Sequence, residues 1–302
     1  MLVRSSVVTS LMVLALVTTL AGCVGGGTTV SPGVSAQPGP QNQATADGGQ
    51  LWLVPTPVPG LMARAAFFLP PGQGPFPLAV VAHGSEQDPG ARAAAPQPSF
   101  PVLTAWLTAH GYAVLIAERP GHGKTGGPYL EDQGSCAAPD YVAAGNATAD
   151  SIAAALAYAP NLPNVRAGNA ILVGNSAGAW GDLALAARNP PGVKAVVVFA
   201  AGRGGHNGDR PLSNCAPDRL VSAAAVFGKS ERLPTLWLYA SNDTYFPPDL
   251  AQQLGDAFRG AGGNIEFHEL PPVGTEGHGL IAADGSPPPW APYVEAFLKA
   301  HR

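Results

Sequence analysis

Short apolar runs recur along the chain at Leu51–Val54, Ala63–Leu69, Leu78–Ala82, Ala113–Ala117, Ala170–Val173, Ala195–Ala200, Thr235–Ala240 and Ile265–Leu270. Each has the length of a strand, and several are bounded by Gly or Pro. Helix-length stretches lie between the later runs. They are Val102–His110 (stopped by Gly111), Ala147–Ala159, Ala177–Asn189, Asp218–Phe227, Asp249–Gly260 and Trp290–His301. The opening strands follow one another without helices, which suits antiparallel pairing. The remainder reads β-α-β and predicts an α/β fold. Its eight-stranded sheet is mostly parallel, covered by helices on both faces and joined by right-handed crossovers. In such sheets ligands bind beyond the carboxyl ends of the strands, so residues that directly follow a strand carry the chemistry.

The first fifty residues do not share this pattern. Arg4 precedes an apolar run from Val7 to Leu20, interrupted by Thr9, Ser10, Thr18 and Thr19. It falls short of the roughly 20 apolar residues a membrane span needs, and reads as a secretory signal. It ends in Leu20-Ala21-Gly22-Cys23, which resembles the lipobox of bacterial lipoproteins. That resemblance implies cleavage after residue 22 and lipidation of Cys23, hence an exported protein anchored to a membrane at the cell envelope. An ordinary signal peptide with an incidental Cys is the alternative. Residues Val24–Gln50 are mostly Gly, Pro, Ser, Thr, Gln and Ala with one charge, Asp47, and cannot bury enough apolar surface to offset ordering entropy. The expected organisation is therefore a signal over 1–22, a lipidated Cys and disordered tether over 23–50, and a folded domain over 51–302.

Composition narrows the function. The formal net charge is −4, which disfavours a nucleic-acid partner. Hydrophobic residues make up 46%, enough for a core, which excludes wholesale disorder. Three cysteines are too few for a disulfide scaffold, and there is no CxxC or HExxH pattern to suggest a metal.

The strongest chemical signal is Gly174-Asn175-Ser176-Ala177-Gly178, which follows the run Ala170–Val173 and opens an Ala-rich helix. This is G-x-S-x-G in its strand–turn–helix context. Such a tight turn exposes the Ser hydroxyl, and glycines two residues before and after leave room where strand and helix nearly collide. The Ala177 N–H, at the helix start, is aimed at a developing oxyanion. The plainer alternative is a glycine-rich turn with a helix-capping Ser.

From roughly Leu51 to Arg302 the chain resembles the α/β-hydrolases, in the branch of dienelactone-hydrolase-like esterase and peptidase domains. The resemblance implies the order Ser, acid, His. Asp243, in Ser241-Asn242-Asp243 after the strand Thr235–Ala240, matches the acid. His278, in Gly277-His278-Gly279 after the last strand, matches the base. Asp249 and Glu276 compete for the acid role. Asp249 begins a helix, and Glu276 sits close to the base in sequence. Of the other histidines, His83, His110, His122 and His206 precede the acid, His268 lies within a strand, and His301 is at the chain end.

The resemblance further implies a second oxyanion donor from the loop after the third strand. There His83-Gly84-Ser85 offers the Ser85 N–H first and the Gly84 N–H second, although the fuller HGGG form is absent. The stretch Glu118-Arg119-Pro120-Gly121-His122-Gly123-Lys124-Thr125 ends like a phosphate-binding loop. It has Glu where that motif begins with Gly, and Pro120 has no N–H to donate. It resembles instead the loop after this strand in many α/β-hydrolases, with Arg119 and His122 favoured as structural over pocket-lining. Cys136 and Cys215 lie in long segments at the same end of the sheet, and an exported protein permits a bridge between them. The same segments carry Tyr129, Arg203, His206, Asn207, Asp209 and Arg210, expected to shape the pocket.

The functional expectation is a cofactor-free, metal-free serine hydrolase acting on a small-molecule ester through Ser176, His278 and Asp243. A peptidase or acyltransferase on the same site, and a binding lipoprotein with a relict site, are the alternatives. The sequence does not indicate the substrate or the oligomeric state.

Overall fold

The computed structural model describes residues 37–301. The expected signal, Cys23 and the first part of the tether lie outside the described residues. Among those described, no helix is long and apolar enough to cross a membrane.

Among the described residues nine strands form one sheet: β1 (Gly39–Ala44), β2 (Gln50–Pro55), β3 (Met62–Phe68), β4 (Phe76–Ala82), β5 (Ala113–Ala117), β6 (Val165–Asn175), β7 (Val193–Phe199), β8 (Thr235–Ala240) and β9 (Ile265–Leu270). Their order is β1-β2-β3-β5-β4-β6-β7-β8-β9. β1, β2 and β3 pair antiparallel, as do β3 and β5; every later pairing is parallel. The helices are α1 (Pro89–Ala94), α2 (Pro101–Ala109), α3 (Tyr141–Ala157), α4 (Ala177–Ala186), α5 (Pro217–Gly228), α6 (Pro248–Gly260) and α7 (Ala291–Ala300). This is the α/β-hydrolase architecture.

The period-two alternation of a strand divides the core. Leu78 and Val80 of β4, Leu172 of β6 and Trp237 and Tyr239 of β8 pack on one face with side chains of α3 to α6. Their neighbours Ala79, Val81, Ile171, Val173, Leu236 and Leu238 pack on the other with side chains of α2 and α7. Strands buried on both faces explain why the central runs are continuously apolar.

The expected eight strands are nine, and the sheet starts at Gly39 inside the segment read as tether. β1 pairs with β2 in the register Gly39↔Leu53 and Ala44↔Gln50. A tight turn links them, with the Thr45 N–H donating to Gly49 O at 2.6 Å. An edge strand is held by backbone hydrogen bonds and tolerates Pro, here Pro40, so it lacks the apolar signature that reveals inner strands. α1 was also missed: it is six residues long, built of small side chains apart from Arg92, and capped by Asp88, whose carboxylate accepts from the Ala91 N–H at 2.7 Å. α3 starts at Tyr141, earlier than the expected Ala147, because Asp140 caps it by accepting from the Ala143 N–H at 2.8 Å.

Candidate active site

The site is built at the carboxyl ends of β4, β5, β6, β7, β8 and β9. β6 runs into Ser176, whose backbone stands at φ 54°, ψ −122°, and α4 begins at the next residue. A non-glycine residue there is strained by about 1–3 kcal/mol, and the surroundings hold it in place. The Ser176 N–H donates to Phe199 O at 3.0 Å, and Ser176 O accepts from Trp180 N at 2.9 Å. The flanking glycines are sterically required. A Cβ on Gly178 would lie 2.3 Å from Ala82 O and 2.4 Å from His83 O. One on Gly174 would lie 2.2 Å from Asp182 Oδ2. Asp182 itself is wholly buried beneath this turn, and burial pushes its carboxyl well above the usual range.

Asp243 follows β8 and is almost entirely buried. Its Oδ1 accepts from the Tyr245 and Phe246 N–H groups at 2.8 and 2.9 Å. Its Oδ2 lies 3.1 Å from His278 Nδ1. With the carboxylate oriented by two backbone donors, the imidazole carries its proton on Nδ1, leaving Nε2 as the basic nitrogen. Tyr245 stacks on the His278 ring with centroids 4.2 Å apart and planes at 21°. His206 stacks on the opposite face of Tyr245 at 3.5 Å. The competitor Glu276 is occupied elsewhere. It accepts from the Thr244 and His278 N–H groups at 3.0 Å each and from the Thr244 hydroxyl. These bonds hold its carboxyl below the ordinary value despite partial burial. Asp249 lies in the first turn of α6.

The loop after β4 lies against the serine. A Cβ on Gly84 would stand 3.4 Å from Ser176 Cβ and 3.9 Å from its Oγ. The Ser85 hydroxyl sits 2.9 Å from His122 Nε2. His122 Nδ1 faces the carbonyls of Arg119 and Pro120 at 3.2 and 3.1 Å, so Nδ1 carries the proton and Nε2 accepts from Ser85. Burial pulls the His122 pKa down to about 4, which keeps the ring neutral.

Ser176 lies where two clefts meet. One, of about 520 Å³, is lined by His83, Gly84, Ser85, Asn175, Ser176 and His278, with His122, His206 and Asp209 also on its wall. The other, of about 380 Å³, has Ser176 and Ala177 at one end and Arg92, Tyr129, Arg203 and Asn207 among its walls. Arg210 lines neither. Cys136 and Cys215 are disulfide-bonded, with Cα atoms 4.8 Å apart, and both border the second cleft. Arg119 is buried, whereas His122 is buried and also lines a cleft, so the structural and pocket-lining readings divide between them. The stretch ending in Gly-Lys-Thr is a closed turn: the Thr125 N–H donates to Glu118 Oε2 at 2.5 Å, and Gly121 N to Gly126 O at 2.7 Å. His268 pairs with Glu266 at 2.6 Å on the outer strand β9, away from both clefts.

Sequence reasoning did not single out Glu131 or Tyr245. Glu131, wholly buried, bridges Arg119 and Arg203. The two guanidinium groups hold its carboxyl far below the usual range against the cost of burial.

The sequence profile of the dienelactone hydrolase family matches residues 99–296, a span that includes Ser176, Asp243 and His278. The chain belongs to the dienelactone hydrolase family. Comparison with curated proteins returns no match. Among solved structures, this hydrolase is similar to an esterase of Pyrococcus furiosus at 15% identity and a TM-score of 0.55, covering 88% of this chain and 93% of that one. It is similar to Est1E of Butyrivibrio proteoclasticus, solved with ferulic acid bound, at 16% identity and a TM-score of 0.56 over 82% and 98% of the two chains. A cold-adapted esterase from an Arctic intertidal metagenomic library matches at 15% identity and 0.56, over 86% and 97%. At these identities the likeness is one of fold.

Proposed function

We propose that this hydrolase cleaves carboxylic esters of small molecules through a serine nucleophile and an acyl-enzyme. The observation that carries the reading is the strained Ser176 at the mouth of a cleft that His278 also lines, with His278 held by the buried Asp243. Ser176 Oγ attacks the ester carbonyl while His278 Nε2 takes its proton. Asp243 holds the ring in the required tautomer and stabilises the imidazolium. The Ala177 N–H and the Ser85 N–H, with Gly84 beside it, bind the oxyanion. The imidazolium returns its proton to the departing alcohol. Water, deprotonated by the same nitrogen, then releases the acid and regenerates Ser176.

A fluorophosphonate probe tests this reading, since it labels an activated serine and not a merely exposed one. The expected result is one stoichiometric adduct, on Ser176, absent from Ser176→Ala. No labelling of the folded wild type would leave the site a relict.

The reading extends to the amino terminus. Residues 1–22 are proposed as a secretory signal and Cys23 as the lipidated residue that tethers the domain to a membrane of the cell envelope. The lipobox resemblance of Leu20–Cys23 supports this, as does the Cys136–Cys215 bridge, which suits an oxidising compartment. In a bacterial host fed an alkyne fatty acid, the wild type should acquire label and Cys23→Ser should not. Equal labelling of the two would reject the anchor.

A further inference from the structure

The peptide planes of the oxyanion loop are pinned from behind. Gly84 O receives the His83 Nδ1 proton at 2.6 Å and faces Arg119 Nη2 at 3.5 Å. His83 O accepts from Arg119 Nη1 at 2.6 Å. The Arg119 backbone N–H donates to His83 Nε2 at 3.0 Å, which leaves the ring proton on Nδ1, where it meets Gly84 O. His83 stays neutral because burial and the adjacent guanidinium lower its pKa well below the usual value. In a planar trans peptide the N–H points opposite to the C=O. Fixing His83 O therefore aims the Gly84 N–H, and fixing Gly84 O aims the Ser85 N–H. Both are turned away from the guanidinium that holds their carbonyls. The same guanidinium is anchored on its far side by Glu131, its Nη2 donating to Glu131 Oε2 at 3.2 Å and its Nε to Oε1. Arg203 holds Glu131 in turn, at 2.6 Å to Oε2 and 3.1 Å to its backbone O.

We infer that Arg119, clamped by Glu131, is the positioning residue of the oxyanion hole: it sets both candidate donor peptides before substrate arrives. This rests on the serine-esterase reading above. Arg119 touches no reacting atom. A guanidinium suits the task because its planar fork serves two carbonyls and a carboxylate at once, which a lysine ammonium on a flexible stem does not reproduce.

The test compares wild type with Arg119→Lys, which keeps a cation beside Glu131 but gives up the fork. Activity is expressed per site titrated with the fluorophosphonate, which removes any unfolded fraction. The readouts are kcat and KM for a nitrophenyl ester, and the affinity of a trifluoromethyl ketone, which forms a tetrahedral adduct with the serine. Losing the aim of one donor predicts a fall in kcat on the order of 10²-fold. KM should change little, and ketone affinity should fall by a factor close to that in kcat. A merely structural arginine would lower the melting temperature and the titrated fraction, with kcat per site and ketone affinity unmoved; that result overturns the inference. Should Arg119→Lys fail to fold, Glu131→Asp, which draws the clamp back by one methylene, serves the same comparison. Wild type that binds the ketone on Ser176 but turns over no ester refutes the ester reading, while the variant's ketone affinity still decides the role of Arg119. Wild type that does not bind the ketone refutes both.

Discussion

Ser176→Ala should lower kcat for short nitrophenyl esters by about 10⁴-fold or more, the largest effect of any single substitution in this protein. The variant keeps the fold. Ala can occupy φ 54° at no greater cost than Ser, and the backbone bonds to Phe199 and Trp180 do not involve the hydroxyl. KM should stay within a few-fold, since Gly84, Ser85 and the cleft walls are untouched. The measurement is a steady-state assay of both proteins with active-site titration of the wild type. Undiminished turnover by the alanine variant would mean that another group carries the chemistry.

The second large effect belongs to Asp243→Asn, with an expected fall of about 10⁴-fold in kcat near neutral pH. Asp243 Oδ1 is committed to the N–H groups of Tyr245 and Phe246. An amide in the same place must keep its oxygen on those two donors, which turns its NH₂ toward His278 Nδ1. Two donors cannot face each other, so the ring places its proton on Nε2 and loses the lone pair that should accept from Ser176. NMR of the wild type should show a proton on Nδ1 bonded to Asp243, and the variant should lack it. The Tyr245 stack should keep the ring in place, so ester KM is expected to hold. A variant within tenfold of wild type, with the Nδ1 proton intact, would remove Asp243 from the mechanism.

The inner architecture was legible because it is written in apolar side chains. Runs such as Ala170–Val173 and Thr235–Ala240 are buried on both faces and recur with helices between them, which leaves few other arrangements. The serine turn was legible because its geometry demands glycine at two fixed positions, and Ala82 O and Asp182 occupy the space a side chain would need. Asp243 and His278, which the fold brings to 3.1 Å, were legible as candidates from their place after strands and from the order that the family resemblance implies. What the sequence hid depends on partners remote along the chain. β1 is held by backbone bonds to β2, and Gly39–Ala44 offers no apolar alternation to betray it. Glu131 is a lone carboxylate in a loop, and nothing local reveals that two arginines, 12 and 72 residues away, converge on it in the interior. Tyr245 follows Asp243 by two residues, and only the return of the chain at His278 turns it into a stacking platform.

The Cys136–Cys215 bridge ties the segment after β5 to the segment after β7 across 79 residues of chain. Both segments line the same cleft, so their separation at the bridge is fixed once, when the thiols are oxidised, and not at each encounter with a ligand. A ligand that fits between these two segments meets that part of the wall already in position, so less ordering of the chain opposes its entry.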